Sequence, residues 1–310
     1  MRLYRLLLAA AIITAATPPV AGSAPPRVTI VYTNSLNGNL DYCRCPSDPK
    51  GGLVKRATEI EAIRKTHENV ILLDTGDFLT IDGDPLLARH VLDAYRVIGY
   101  DALLPGDQEF SAGTNFFIAH SKGLPLVAAN LQVMKGGAWT YAFPRSLLIE
   151  RGGVKIGLTG VISPAAFRYY PKKVTEGIRV LEASSAALEE AAALRKRGAE
   201  LVILLSHSGF EADLELEKTT RGVDVIVGGH SQTLVKEPHR GRSAVVVQAG
   251  ANGAHIGILE LALPPGGPRV LKNSFRTPDE HRPADDPRIR RIIERYNAEL
   301  KSRYEKARPK

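Results

Sequence analysis

Cysteine is almost missing from this chain. Its 310 residues include two, Cys43 and Cys45, with one residue between them. A disulfide-stapled scaffold is therefore excluded, and a bridge between the two would close a very small, strained ring of the labile kind. The one tryptophan, Trp139, lies in a glycine-rich turn and reads as packing. No pair of aromatic side chains can be placed to stack a nucleobase. Beyond the N-terminal stretch, no segment is long and apolar enough to cross a bilayer. The net charge of +8 suits an anionic ligand but is not concentrated enough for nucleic acid, and much of the excess lies beyond Lys272. There is no internal repeat.

What is present begins with a short basic start, Met1-Arg-Leu-Tyr-Arg5, followed by an apolar run over 6–16 and small residues and prolines to Pro26. This is the pattern of a secretory signal, so residues 1–24 are expected to be a leader and the mature protein to be exported, into a periplasm for instance. No cysteine lies near the cleavage region to take a lipid anchor.

Hydrophobic residues make up 44% of the chain, enough for one large domain, placed at 25–275. The run Asn69-Val-Ile-Leu-Leu-Asp-Thr-Gly-Asp77 reads as a strand buried on both faces, with carboxylates at its C-terminal end. A strand over 27–33 and a helix over 51–67 precede it, which makes a β-α-β unit. Asp84-Pro85 opens a second helix, and a short strand over 100–104 leads to Gly106-Asp107. Strands follow at 124–129, 145–150 and 154–161, then a helix at 184–197. Buried strands at 201–206 and 223–227 end at His207 and at Gly228-Gly-His230, and further strands are expected at 244–250, 256–263 and 269–275. Residues 276–286 read as a linker, after which Pro287 opens an amphipathic helix with Ile289, Ile292, Ile293, Tyr296 and Leu300 on one side. Two mixed sheets packed together with helices outside fit this tally, an α/β fold.

Ligands in open α/β sheets bind beyond the carboxyl ends of strands. Asp77, Asp107, His207, His230 and Gln232 all fall there, beside glycines and after separate strands. Carboxylate with imidazole suits a divalent Zn, Mn or Fe ion. His67, His120, His239 and His281 sit in polar surroundings and read as solvated, His90 lies within a helix, and His255 is a further candidate.

The blocks Thr33-Asn-Ser-Leu-Asn-Gly38, Asp74-Thr-Gly-Asp77, Gly106-Asp-Gln-Glu-Phe110, Ser206-His-Ser-Gly209 and Gly228-Gly-His-Ser-Gln232 carry a resemblance. In order and spacing the chain resembles the calcineurin-like metallophosphoesterase domain of the bacterial 5′-nucleotidase and UDP-sugar hydrolase family. The resemblance implies a four-layer α/β/β/α sandwich, a two-metal site, and a nucleotide or other phosphorylated small molecule as partner. It places Asp77, Asp107, His207 and His230 on one metal position. The other keeps Asp77 and Gln232, but Ser35 and Asn37 stand where that family carries an aspartate and a histidine. Gln108 stands where it carries its catalytic histidine, and Ser111 where it carries the aspartate orienting that histidine. Asp41, Cys43 and Cys45 follow in the same loop as substitute ligands or, for the cysteines, a redox pair. Three functions are therefore open: an exported phosphoesterase with one intact metal position, a non-catalytic metal- or anion-binding relative, or a thiol-redox protein.

Overall fold

A computed structural model describes residues 24–41, 51–278 and 284–307. Cys43 and Cys45, and nearly all of the expected leader, lie outside these residues.

The first sheet is built round β1 (Arg27–Thr33), which pairs in parallel with β2 (Val70–Asp74) through α1 (Leu53–Thr66). Asp84 caps α2 (Pro85–Ile98) by accepting from the Leu86 amide at 2.9 Å, and β3 (Ala102–Leu103) then adds to β2 in parallel. A short α3 (Thr114–His120) follows. Three strands form a small separate sheet: β4 (Leu131–Lys135), β5 (Ala138–Tyr141) and, further on, β8 (Ile178–Val180). Between β5 and β8 come the hairpin of β6 (Ser146–Arg151) and β7 (Val154–Ile162) and a single helical turn, α4 (Lys172–Thr175).

The second sheet takes that hairpin as one edge. After α5 (Ala183–Lys196), β9 (Leu201–His207) pairs in parallel with β7, and after α6 (Phe210–Thr219), β10 (Val225–Gly228) pairs in parallel with β9. β11 (His239–Arg240) and β12 (Val245–Val247) complete its order, β11-β12-β10-β9-β7-β6. The chain then returns to the first sheet through β13 (Ile256–Ala262) and β14 (Arg269–Arg276), giving β14-β13-β1-β2-β3. Both large sheets are mixed, as expected.

Alternation along the second sheet shows how the layers stack. Ile203, Leu205, Val225 and Val227 join the main core with the first sheet and α1 and α2, whereas Val202, Leu204 and Ile226 face the smaller core under α5 and α6. A strand covered on both sides has no polar positions to spare, which is why these runs read as continuous apolar stretches. The C-terminal helix α7 (Pro287–Ala307) packs on α1 and α2 and buries Ile289, Ile292 and Ile293.

Three expectations differ. Residues 124–129 do not form a named strand. The segment instead crosses between sheets: the Leu103 amide donates to the Pro125 carbonyl at 3.0 Å and the Ala129 amide to the Gly160 carbonyl at 2.7 Å. The small third sheet was not anticipated, because β4 and β5 are half-exposed and short. Nor was α6, whose start carries Glu211 and Asp213 after Gly209, a charge order that favours a helix N-terminus.

Candidate metal centre

The parallel strands run the same way, so β2, β3, β9 and β10 all end on one rim. Register places Thr33 beside Asp74, Ser206 beside Gly228, and Ile162 beside His207. Thr75 then stitches the sheets together. Its hydroxyl donates to the Gly228 carbonyl at 2.8 Å, and its carbonyl lies 2.7 Å from His207 Nδ1.

Turns at this rim are tight enough to require glycine. A Cβ on Gly106 would lie 2.5 Å from His207 Cε1 and 2.6 Å from Asp77 Oδ1, so the backbone approaches the site as closely as it can. Left-handed backbone gathers at this rim, at Asp77 (φ 58°), His230 (φ 67°) and Gln232 (φ 57°), and also at Ser35 (φ 46°), Asn37 (φ 54°) and Asn252 (φ 55°). Among the described residues Asn69 is the one other non-glycine in that region. Backbone strain that collects at one place is held there by the surrounding structure and marks a site.

Asp77, Asp107, His207 and His230 meet at this rim, with one donor atom from each lying within 4.8 Å of the others. His207 Nε2 is 3.3 Å from Asp77 Oδ1 and 3.1 Å from Asp107 Oδ1, and His230 Nδ1 is 3.2 Å from Asp107 Oδ1. Donors bound to one ion at about 2.0–2.2 Å lie roughly 3.0–3.5 Å from each other, so this spacing fits a cation. The protonation pattern fits as well. With Nδ1 donating to the Thr75 carbonyl, the neutral ring would turn the lone pair of Nε2 towards two carboxylates, which needs a proton or a metal between them. Burial alone would lower the His207 value, but the Asp77 charge and the contacts with Asp107 outweigh it and hold the ring well above the ordinary imidazole range. Burial likewise opposes ionisation of Asp107, yet contacts from His207 and His230 keep it below the usual carboxylate range. His230 Nδ1 is buried and makes no hydrogen bond of good geometry, an orphan that an ion would satisfy.

Two acidic residues carry structural parts of the site. Glu109 accepts from the amides of Asp77 at 3.0 Å, Leu79 at 2.9 Å and Gly106 at 2.5 Å, clamping both ligand loops. Burial, reinforced by the Asp77 charge, pushes its value up to about 8. Sequence reasoning passed over Glu109; its place three residues after Gly106 was the available signal. Asp74, by contrast, points below the rim. It takes the Gly76 amide at 3.0 Å, the Thr33 hydroxyl at 2.5 Å and the Tyr95 hydroxyl at 3.1 Å, with the buried Arg56 guanidinium 3.6 Å away.

No family model matches the chain. It is 30% identical over 295 residues to the 5′-nucleotidase of Diplobatis ommata, covering 81% of this chain and 50% of that protein. It is 29% identical over 290 residues to that of Mus musculus, with 83% and 49% covered. In structure it superposes on the 5′-nucleotidase precursor from Thermus thermophilus with a TM-score of 0.78 at 24% identity, covering 89% of this chain and 59% of that one. On the calcineurin-like phosphoesterase YfkN from Bacillus subtilis the TM-score is 0.72 at 21% identity, with 88% and 97% covered. The fold is that of the calcineurin-like metallophosphoesterases, and the chain resembles the 5′-nucleotidases. It spans about half the length of the two 5′-nucleotidases it is aligned with.

Ser35, Asn37 and Gln108, which the resemblance sets at or beside a second metal position, are neutral and tied into the rim. The Ser35 backbone is fixed on both sides, its amide donating to Gly76 O at 2.8 Å and its carbonyl accepting from Asn252 N at 2.7 Å, while its hydroxyl accepts from Asn34 Nδ2 at 3.1 Å. Asn37 and Gln108 form a neutral chain: Gln108 Nε2 donates to Asn37 Oδ1 at 3.2 Å, and Asn37 Nδ2 donates to Asn252 Oδ1 at 2.7 Å. Gln232 lies exposed two residues beyond His230. Asp41 turns to the C-terminal helix, where Arg290 Nη1 is 3.0 Å from its Oδ2. The Ser111 hydroxyl is buried. His255 Nδ1 is 3.1 Å from the Thr277 hydroxyl, and among the described residues His255 is not part of the metal-ligating group.

Proposed function

We propose that this chain is an exported, metal-dependent phosphoesterase working from one strong metal position, with a leader at 1–24, a metallophosphoesterase-like domain at 25–275 and a linker and helix at 276–310. The observation that carries this reading is the convergence of Asp77, Asp107, His207 and His230 at one strand-end rim with the spacing of metal ligands. These four would hold a Zn, Mn or Fe ion. Such an ion lowers the pKa of a bound water and offsets charge on a phosphoryl oxygen. Asn37, Gln108 and Gln232 present amides to a phosphate or nucleotide substrate, and Ser35 holds the loop that carries Asn37. Asp107 and Asp77 keep the imidazoles oriented, and Glu109 holds both of their loops.

The Gln108–Asn37–Asn252 amide chain favours a second reading, a non-catalytic relative that binds metal or an anion. An amide cannot do the proton transfer of a histidine, a contribution of about 10²–10⁴-fold where a general acid or base is used. One experiment separates the two. Metal content of the purified protein is measured beside turnover of phosphomonoesters, phosphodiesters and nucleotides with Mn²⁺, Zn²⁺, Fe²⁺ and Mg²⁺. The phosphoesterase reading expects about one tightly held ion per chain and turnover lost in His230→Ala. Tight metal without turnover replaces it with the second reading, and absence of both removes the metal centre.

A further inference from the structure

Tyr170 lies in none of the blocks that carry the family resemblance. It follows β7, whose last residue, Ile162, is in register with His207, and the Ser163 amide donates to the His207 carbonyl at 3.1 Å. The following turn, closed by the Tyr170 amide on the Phe167 carbonyl at 3.1 Å, brings the tyrosine back over the rim. Its ring rests on the main core, with Phe167 at a centroid distance of 6.0 Å. The phenol oxygen is buried and has no hydrogen bond of good geometry, and neither has the Ser111 hydroxyl. Asp107 and Ser111 are polar neighbours of the phenol, and the Asp77 charge also bears on it. One orphaned hydroxyl therefore sits beside a candidate metal-ligand carboxylate, and the second sits beside the first.

We infer that Tyr170 is a positioning residue for the metal: its O–H donates to the outer oxygen of Asp107, and the Ser111 O–H donates in turn to the Tyr170 oxygen. This rests on the proposed metal-holding role of Asp107. The chemistry of the carboxylate supports it. Both imidazoles face Asp107 Oδ1, which leaves Oδ2 as an acceptor with no other donor among the described contacts. An amide whose oxygen binds metal turns an N–H₂ outward and asks for an acceptor; a carboxylate asks for a donor. Asp107, Tyr170 and Ser111 then form one set, the phenol serving the carboxylate and the Ser111 hydroxyl serving the phenol.

The test is Co²⁺ binding to the full chain, followed by visible absorption and by competition with a chromophoric chelator. Outer partners of metal ligands typically contribute about 10–100-fold in affinity, so Tyr170→Phe is expected to weaken Co²⁺ binding by that amount and to shift the ligand-field bands, with the melting temperature of the metal-free protein unchanged. Ser111→Ala, a milder change, is expected to weaken it several-fold in the same direction. In an Asp107→Asn background the Tyr170→Phe effect should shrink to less than about threefold, because the donor has lost its acceptor. Unchanged affinity and spectrum in Tyr170→Phe overturn the inference and leave the metal centre standing. Loss of fold in Tyr170→Phe passes the decision to Ser111→Ala, where unchanged binding overturns it. A wild-type protein that binds no Co²⁺ overturns both this inference and the metal reading beneath it.

Discussion

The four candidate ligand side chains rest on residues outside that group, and Arg56 is the plainest of them. It is fully buried, with Asp74 as its ion-pair partner and the hydroxyls of Tyr95 and Tyr100 each 3.3 Å from Nη1. Removing one member of a buried pair leaves the other uncompensated, at about 3–5 kcal/mol. Arg56→Met is expected to lose that much stability in urea unfolding and, because Asp74 holds the Gly76 turn, to weaken metal binding with it. Asp213 presents the opposite case. Its carboxyl is buried on α6 without a well-formed hydrogen bond, and burial pushes its value up to about 8. The folded state then holds a proton that the unfolded chain releases near 3.9, so the folded state binds more protons through pH 4–8 and stability falls as pH rises across that window. Those two values bound the effect at roughly 6 kcal/mol. Asp213→Asn removes the titration, and its melting temperature is expected to exceed wild type by more at pH 8 than at pH 5. Equal gaps at both would show that the carboxyl does not titrate there.

Among the elements, the loop from Thr33 to Gly38 shows what sequence reveals and what it conceals. Its blocks name the rim, and the flanking strands are legible because burial on both faces leaves them uninterrupted: β1 begins and ends at the expected residues, and β2 leads to Asp77 as expected. Composition also shows that Ser35 and Asn37 are poor ligands. It does not show that the loop keeps left-handed backbone at both, or that Asn252, 215 positions away, closes the amide chain, since no local pattern encodes a contact between distant turns. For the same reason Glu109 and Tyr170 escaped notice, and the small sheet of β4, β5 and β8, half-exposed and short, left little periodicity to read. Because backbone bonds to Gly76 and Asn252 hold Ser35, new side chains there should alter the loop's chemistry and leave its path. Ser35→Asp with Asn37→His is expected to raise bound metal from about one to about two ions per chain by elemental analysis at saturating Mn²⁺. Stoichiometry unchanged in a folded double variant would mean that the amides, and not the two missing ligands, set the count.

At the scale of the whole molecule the four candidate ligands come from both large sheets, Asp77 and Asp107 after β2 and β3, His207 at the end of β9 and His230 after β10. In the protein without metal the sheets share the main core and are tied at the rim by Thr75, through its contacts to Gly228 and His207, and by Asn34, through its bonds to Ala249 and Gly250. An ion held by all four ligands adds a cross-link between layers that the unfolded chain cannot reproduce, so binding should appear as stability of the entire fold. At a free ion concentration of 100 times the dissociation constant the gain is about 2.7 kcal/mol. Calorimetry is expected to show one cooperative transition that moves up with Zn²⁺ or Mn²⁺ and back down with chelator. His207→Ala, which removes the ligand nearest both carboxylates, should melt at the same temperature with and without metal. A transition that splits in two on loading, with one half unmoved, would mean that the ion is held by a single sheet and that the rim does not join the layers.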